Sequence, residues 1–230
     1  MTQFKIALYN QNLPNLGNNN LATRRQMLSN YVAQAHQQGV SIFVASEFFF
    51  THHSDSLDNP QECMALTEQE LEETLNFLGE LSTQYKTMLI VPGTIYWQDG
   101  GSLYNSTFAF HGQSNPIAQN DKCNATPQDR EYAQQCHKGI EGGSAGVDFY
   151  FNDKSCYLQI CQDTTEEPNQ DYDLSLVPAF RPGFAAISNQ NRFQFRILSD
   201  GNGRYYVYDR RNNHTQEGQQ TLFITTIELQ

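Results

Sequence analysis

Apolar residues along this chain recur at two periods, close to two and close to 3.6, and the switches between them lay out its elements. The run "FKIALY" (Phe4 to Tyr9) predicts a first strand, followed by the turn-rich "NQNLPNLGNNN". From Asn20 to Gln38 the apolar positions Leu28, Tyr31, Val32 and Ala35 share one helical face, with Asn20 placed to cap the start and Gly39 the end. The strand "SIFVAS" comes next. "TEQELEETLNFLGELSTQY" then predicts a second helix, with a Thr67/Glu70 capping box and a stripe of Leu71, Leu75, Leu78 and Leu81. "MLIVPGTIYW" and "SLYNSTFAF" predict two strands of a hairpin turning at "QDGG", and "GVDFYF" with "CYLQIC" a second hairpin. "LSLVPAF" reads as a buried strand, and "RFQFRIL", "RYYVYDR" and "TLFITTIEL" as alternating strands near the end of the chain. Helices interleaved with early strands, then strands in succession, give an α/β or mixed-sheet architecture.

Composition narrows the class without changing that layout. At 230 residues and 38% hydrophobic content the chain can bury one sizeable core, so residues 1–230 are expected to form a single domain. The net charge of −11 repels nucleic acid and anionic membranes, leaving a small-molecule or protein partner. No apolar run approaches the ~20 residues of a membrane span. The start "MTQFKIALYNQN" lacks the basic and apolar pattern of a secretory signal, so the expected location is cytoplasmic. Cys63, Cys123, Cys136, Cys156 and Cys161 are an odd number at irregular spacing, which predicts free thiols rather than a disulfide framework.

Chemistry concentrates where strands end. Glu47 sits in "IFVASEFFF", a carboxylate among phenylalanines, and an ionised carboxylate removed from water needs a partner or a task. Cys161 ends a second strand-like run, and sites in α/β sheets gather at the carboxyl ends of strands. A carboxylate near a thiol can serve as its base. The bland alternatives are an inert core cysteine, a salt-bridged glutamate and, for Lys122 in "QNDKCNAT", a solvated loop charge. Cys123, Cys136, His137 and Cys156 lack zinc-site spacing, so no metal is expected. His52 and His53 read as loop histidines close to Glu47, Phe48, Phe49 and Phe50 as a mixture of core and site-lining side chains, and Asn213 in "NHT" carries no weight without a secretory signal.

The stretches "GVSIFVASEFFF", "SLYNSTFAFHG" with Lys122 after it, and "YLQICQD" resemble, in order, the three signature regions of the nitrilase superfamily of carbon–nitrogen hydrolases. The resemblance covers roughly residues 4 to 180. It implies that Glu47 is the general base, Cys161 the nucleophile, and Lys122 with the backbone N–H of Gln162 the stabiliser of the oxyanion. Tyr104 and Asn105 match the family's Tyr-Asn pair, and Asp163 its aspartate after the cysteine. For the second glutamate that supports the lysine, Glu141 in "GIEGGSAG" is the best match and Glu131 a poorer one. The family also implies an α-β-β-α four-layer sandwich, a homodimer, no cofactor, and cleavage of a small amide through a cysteine thioester.

Departures accompany the match. Ser46 replaces the usual proline, Gln162 a tyrosine, and "TTEEPN" the usual continuation after the cysteine. For the long helix expected after the "V-P-A" strand, "RPGFAAISNQNRFQF" is too short and too broken to supply it fully. An abbreviated member could therefore keep the fold as an inactive scaffold, or pass the thioester to an amine as an acyltransferase.

Overall fold

The computed structural model describes residues 2–10, 20–52, 63–182 and 192–229. His53 and most of the segment after Pro182 lie outside them. β1 (Thr2–Tyr9) is followed by α1 (Leu21–Gln37), β2 (Ile42–Ala45), α2 (Glu68–Gln84), β3 (Leu89–Val91), β4 (Thr94–Asp99) and β5 (Ser102–His111). β6 (Ala118–Asp121), α3 (Pro127–Gln135), β7 (Gly139–Ile140), β8 (Val147–Phe151) and β9 (Lys154–Leu158) come next. A 3-10 turn (Cys161–Thr165) then leads to β10 (Tyr172–Ala179), β11 (Phe193–Asp200), β12 (Arg204–Asp209), β13 (His214–Gln219) and β14 (Leu222–Leu229).

Two sheets stack face to face. The first runs β14-β1-β2-β3-β5-β4, with β6 and β7 also paired to β5; the second runs β13-β12-β11-β10-β9-β8. Strict alternation divides their side chains. Ile6, Leu8, Ile42, Val44, Leu89 and Val91 of the first sheet meet Leu158, Leu174, Leu176, Phe195 and Ile197 of the second in one core. The intervening residues Ala7, Tyr9, Phe43, Ala45 and Ile90 turn outward and pack under Leu28, Val32, Leu78 and Leu81 of the two long helices. The capping box at Thr67 and Glu70 forms, and Asn20 accepts the N–H of Thr23 at the start of α1. The last strand returns to pair antiparallel with the first, Thr2 opposite Leu229.

This is the expected α-β-β-α sandwich, and the segment in which its long outer helix is expected lies partly outside the described residues. On the outer side of the second sheet lies the turn Cys161–Thr165: Cys161 packs with Val177, Ala179 and Leu198, and the outward Gln159 donates to the carbonyls of Asp163 and Glu166.

Three expectations change. "MLIVPGTIYW" is two strands, broken at Pro92-Gly93; Gly93 has φ +89, and a Cβ there would stand 2.1 Å from the Ser46 carbonyl oxygen. The supposed polar loop around Lys122 contains β6, α3 and β7. Two of the cysteines expected to be free are bonded: Cys63, thirteen residues past Phe50, is joined to Cys136 at the end of α3. Their positions in sequence gave no pairing signal because the fold alone brings the end of α3 to Cys63; Cys123, Cys156 and Cys161 remain thiols.

Candidate active site

β2 is buried along its whole length and delivers Glu47 to the end of the first sheet, where its N–H donates to the carbonyl of Ala179 at the end of β10 in the second sheet (3.1 Å). The turn that follows is held from below. Arg24, fully buried on α1, donates to the carbonyl of Phe49 (2.7 Å) and the hydroxyl of Thr51 (3.2 Å), and the N–H of Phe48 donates to Thr94 Oγ1. Phe49 and Phe50 pack under the helices, whereas Phe48 turns into the site beside Tyr96, Tyr132 and Phe180.

Glu47 has no exposure to solvent. Its Oε1 receives Lys122 Nζ at 2.7 Å and Asn105 Nδ2 at 2.8 Å. Oε2 accepts no hydrogen bond from these donors, and the Cys161 thiol is close enough to act on the carboxyl's charge. Burial lifts the Glu47 carboxyl above the usual range; Lys122 pulls it down and Asp129 pushes it up. Cys161 is lifted well above an ordinary thiol, by burial and then by the negative charge of Glu47. At rest it is therefore a protonated thiol, 3.5 Å from the Phe180 carbonyl oxygen, and needs a base to ionise. Burial alone would lower the Lys122 ammonium, but Glu47 and Asp129 outweigh it and hold the charge well above the usual lysine range.

The carboxylate that supports Lys122 is Asp129, at 2.8 Å. Glu141, the expected partner, is exposed and accepts from Ser102 (2.7 Å), and Glu131 is exposed on α3. Asp129 does two tasks: its Oδ2 also accepts the N–H and hydroxyl of Thr126, both at 2.7 Å, capping α3. The signal was present in "TPQDREY", a capping box with proline at the first helical position. Replacing Asp129 by Asn should cost roughly 1.5–3 kcal/mol, the range for a hydrogen bond to a charged group, read as a lower urea midpoint. An unchanged midpoint would mean that the ammonium is satisfied by Glu47 alone.

A cavity of about 640 Å³ opens onto these groups, lined by Glu47, Phe48, Lys122, Gln128, Cys161, Gln162, Phe180 and Arg181 among others. Phe48 (φ +58), Cys161 (φ +43) and Arg181 (φ +49) all hold the left-handed backbone conformation rare outside glycine. Strain of this kind collects where geometry serves a site. In the turn after β9 the N–H of Asp163 donates to Ile160 and that of Glu166 to Asp163, so neither bond uses the N–H of Gln162.

The structure thus brings Glu47, Lys122, Cys161, Asn105 and Gln162 together. It does not bring Tyr104, which alternates onto the opposite face of β5 and stacks on Trp97 at 4.4 Å. His52 pairs with Glu70 on α2 (3.1 Å). Among the described residues no cluster of His, Cys, Asp and Glu could hold a metal ion, and no helix is long and apolar enough to cross a membrane.

A buried carboxyl, ammonium and thiol thus meet at one cavity of a two-sheet α/β sandwich. The chain belongs to the carbon–nitrogen hydrolase family, whose sequence profile matches residues 5–165. Its fold is similar to that of an amidase from Nesterenkonia sp. (13% identity, 97% of this chain and 90% of that one, TM-score 0.71). It is also similar to a CN-hydrolase superfamily protein of Xanthomonas campestris (13%, 99% and 91%, 0.69) and to Nit3 of Saccharomyces cerevisiae, a nitrilase superfamily member (16%, 97% and 89%, 0.69). No curated protein matches the sequence closely enough to count as a relative.

Proposed function

We propose that the protein is a thiol amidohydrolase that cleaves the carbon–nitrogen bond of a small amide through a thioester on Cys161. The observation that carries this reading is the convergence of Glu47, Lys122 and Cys161 on one cavity from three distant stretches of sequence. Each step has a group in place. Glu47 takes the thiol proton as Cys161 Sγ attacks the carbonyl carbon, a role suited to a carboxyl raised by burial. The Lys122 ammonium and the Gln162 N–H are the donors for the resulting oxyanion. The carbon–nitrogen bond then breaks, Glu47 passes its proton to the departing nitrogen, and the thioester is left on sulfur. Water, deprotonated by Glu47, attacks the thioester and releases the acid and the free thiol.

The test is ammonia release from a panel of short primary amides, combined with acid quenching and peptide mapping. Ammonia together with an acyl mass on the Cys161 peptide, and on neither Cys123 nor Cys156, is the expected result. Neither ammonia nor adduct would make the fold an inactive scaffold. Adduct with product formed only when an amine is supplied would make the reaction acyl transfer.

A further inference from the structure

Cys161 and Lys122 reach the cavity from different sheets, one from the turn after β9 and the other from the end of β6. Before Lys122 the register is fixed, because its N–H donates to the carbonyl of Asn105 on β5 (2.9 Å). Beyond Lys122 the chain leaves the sheet, and the next two N–H groups turn toward a side chain of the nucleophile's own turn. Asp163 accepts the N–H of Asn124 at 2.8 Å on Oδ1 and that of Cys123 at 3.1–3.2 Å, shared between its two oxygens. Asp163 is fully buried, and its backbone is anchored in turn: its carbonyl accepts from Gln159, and its N–H donates to Ile160. Asn124 adds a parallel tie to Glu166 (2.9 Å). Burial lifts the Asp163 carboxyl to about 7, against the pull of these N–H donors and of the Lys122 charge, and its side chain hydrogen-bonds to the backbone rather than to the thiol or the ammonium.

We propose that Asp163 is a positioning residue, a strut that sets the Lys122 ammonium at the height above Cys161 where it meets the oxyanion. This rests on the amidohydrolase reading for its consequence in catalysis, but the strut itself is a claim about the β6–α3 segment. Misplacing a catalytic group by 1 Å can cost ~10²-fold in rate, and a side chain as long as lysine needs its backbone fixed on both flanks.

Two variants separate geometry from charge. Asp163→Asn and Asp163→Ala both remove the ionisable carboxyl, but only the asparagine keeps an oxygen for the N–H groups of Cys123 and Asn124. For Asp163→Ala, kcat on an amide found by ammonia release should fall roughly 100-fold, with KM little changed. Asp163→Asn should stay near the native rate. Hydrogen exchange at the Cys123 and Asn124 amides should quicken only in Asp163→Ala, and this reading needs no substrate. Unchanged exchange in Asp163→Ala, or equal loss of kcat in both variants, would each overturn the strut. A native protein that hydrolyses no amide would sink the amidohydrolase reading alone, with exchange still deciding what Asp163 does.

Discussion

Replacing Lys122 by methionine is expected to lower both stability and turnover, and the stability loss should depend on pH. The ammonium stands between Glu47 at 2.7 Å and Asp129 at 2.8 Å, with all three groups almost entirely out of water. Removing the cation leaves two buried carboxylates facing one another, and breaking a buried pair from one side typically costs about 3–5 kcal/mol. Turnover should fall by ~10²–10³, the usual loss for one oxyanion donor. The sign of the pH effect follows from Glu47. Its folded carboxyl already titrates above its usual value of 4.5 because of burial, and losing Lys122 raises it further. Above pH 4.5 the folded variant holds a proton that the unfolded chain has shed, so its stability falls as pH rises through the folded value and recovers in acid. Urea midpoints of native and variant protein should therefore lie far apart at pH 8 and draw together at pH 5. An equal gap at both would mean that the carboxylates do not depend on Lys122 for their charge.

Opening the Cys63–Cys136 bridge, or replacing both cysteines by alanine, should destabilise the fold by about 4 kcal/mol. That is the chain-entropy value for a loop of this length, the bonded residues being 73 apart in sequence. At this size each kcal/mol moves Tm by roughly 2–4 °C, so a drop of roughly 10 °C on adding a thiol reductant is expected. The measurement is thermal unfolding with and without reductant, repeated on the double alanine variant, where reductant should have no further effect. No shift in the native protein would show that the bridge closes a loop already held by packing around Phe48, Tyr96 and Tyr132. Disulfides persist in oxidising surroundings and are opened in reducing ones.

What the sequence made legible follows from how strongly each feature is written in local pattern. α1 and α2 carry long apolar stripes with capping residues and form within a residue or two of their expected bounds. Glu47 and Cys161 could be singled out because each ends a run of buried strand. α3 has only nine residues and buries Tyr132 and Ala133 with the capping Asp129. Its stripe is too short to register as a period, and the supporting carboxylate went unseen with it. β13, "HTQEGQ", is an exposed, polar edge strand with no alternation to reveal it. Tyr104 failed for the opposite reason: adjacent strand residues point to opposite faces, so the neighbour of Asn105 could not share its site.

The bridge has a topological consequence as well as an energetic one. Together with the backbone it closes a covalent ring that contains Lys122 and Asp129, while Glu47 and Cys161 stand outside it on either side. A protease that cuts the chain once anywhere between Cys63 and Cys136 therefore severs the peptide but not the molecule. The two pieces, one carrying Glu47 and the other Cys161, stay tethered and migrate as one species on a denaturing gel until reductant parts them.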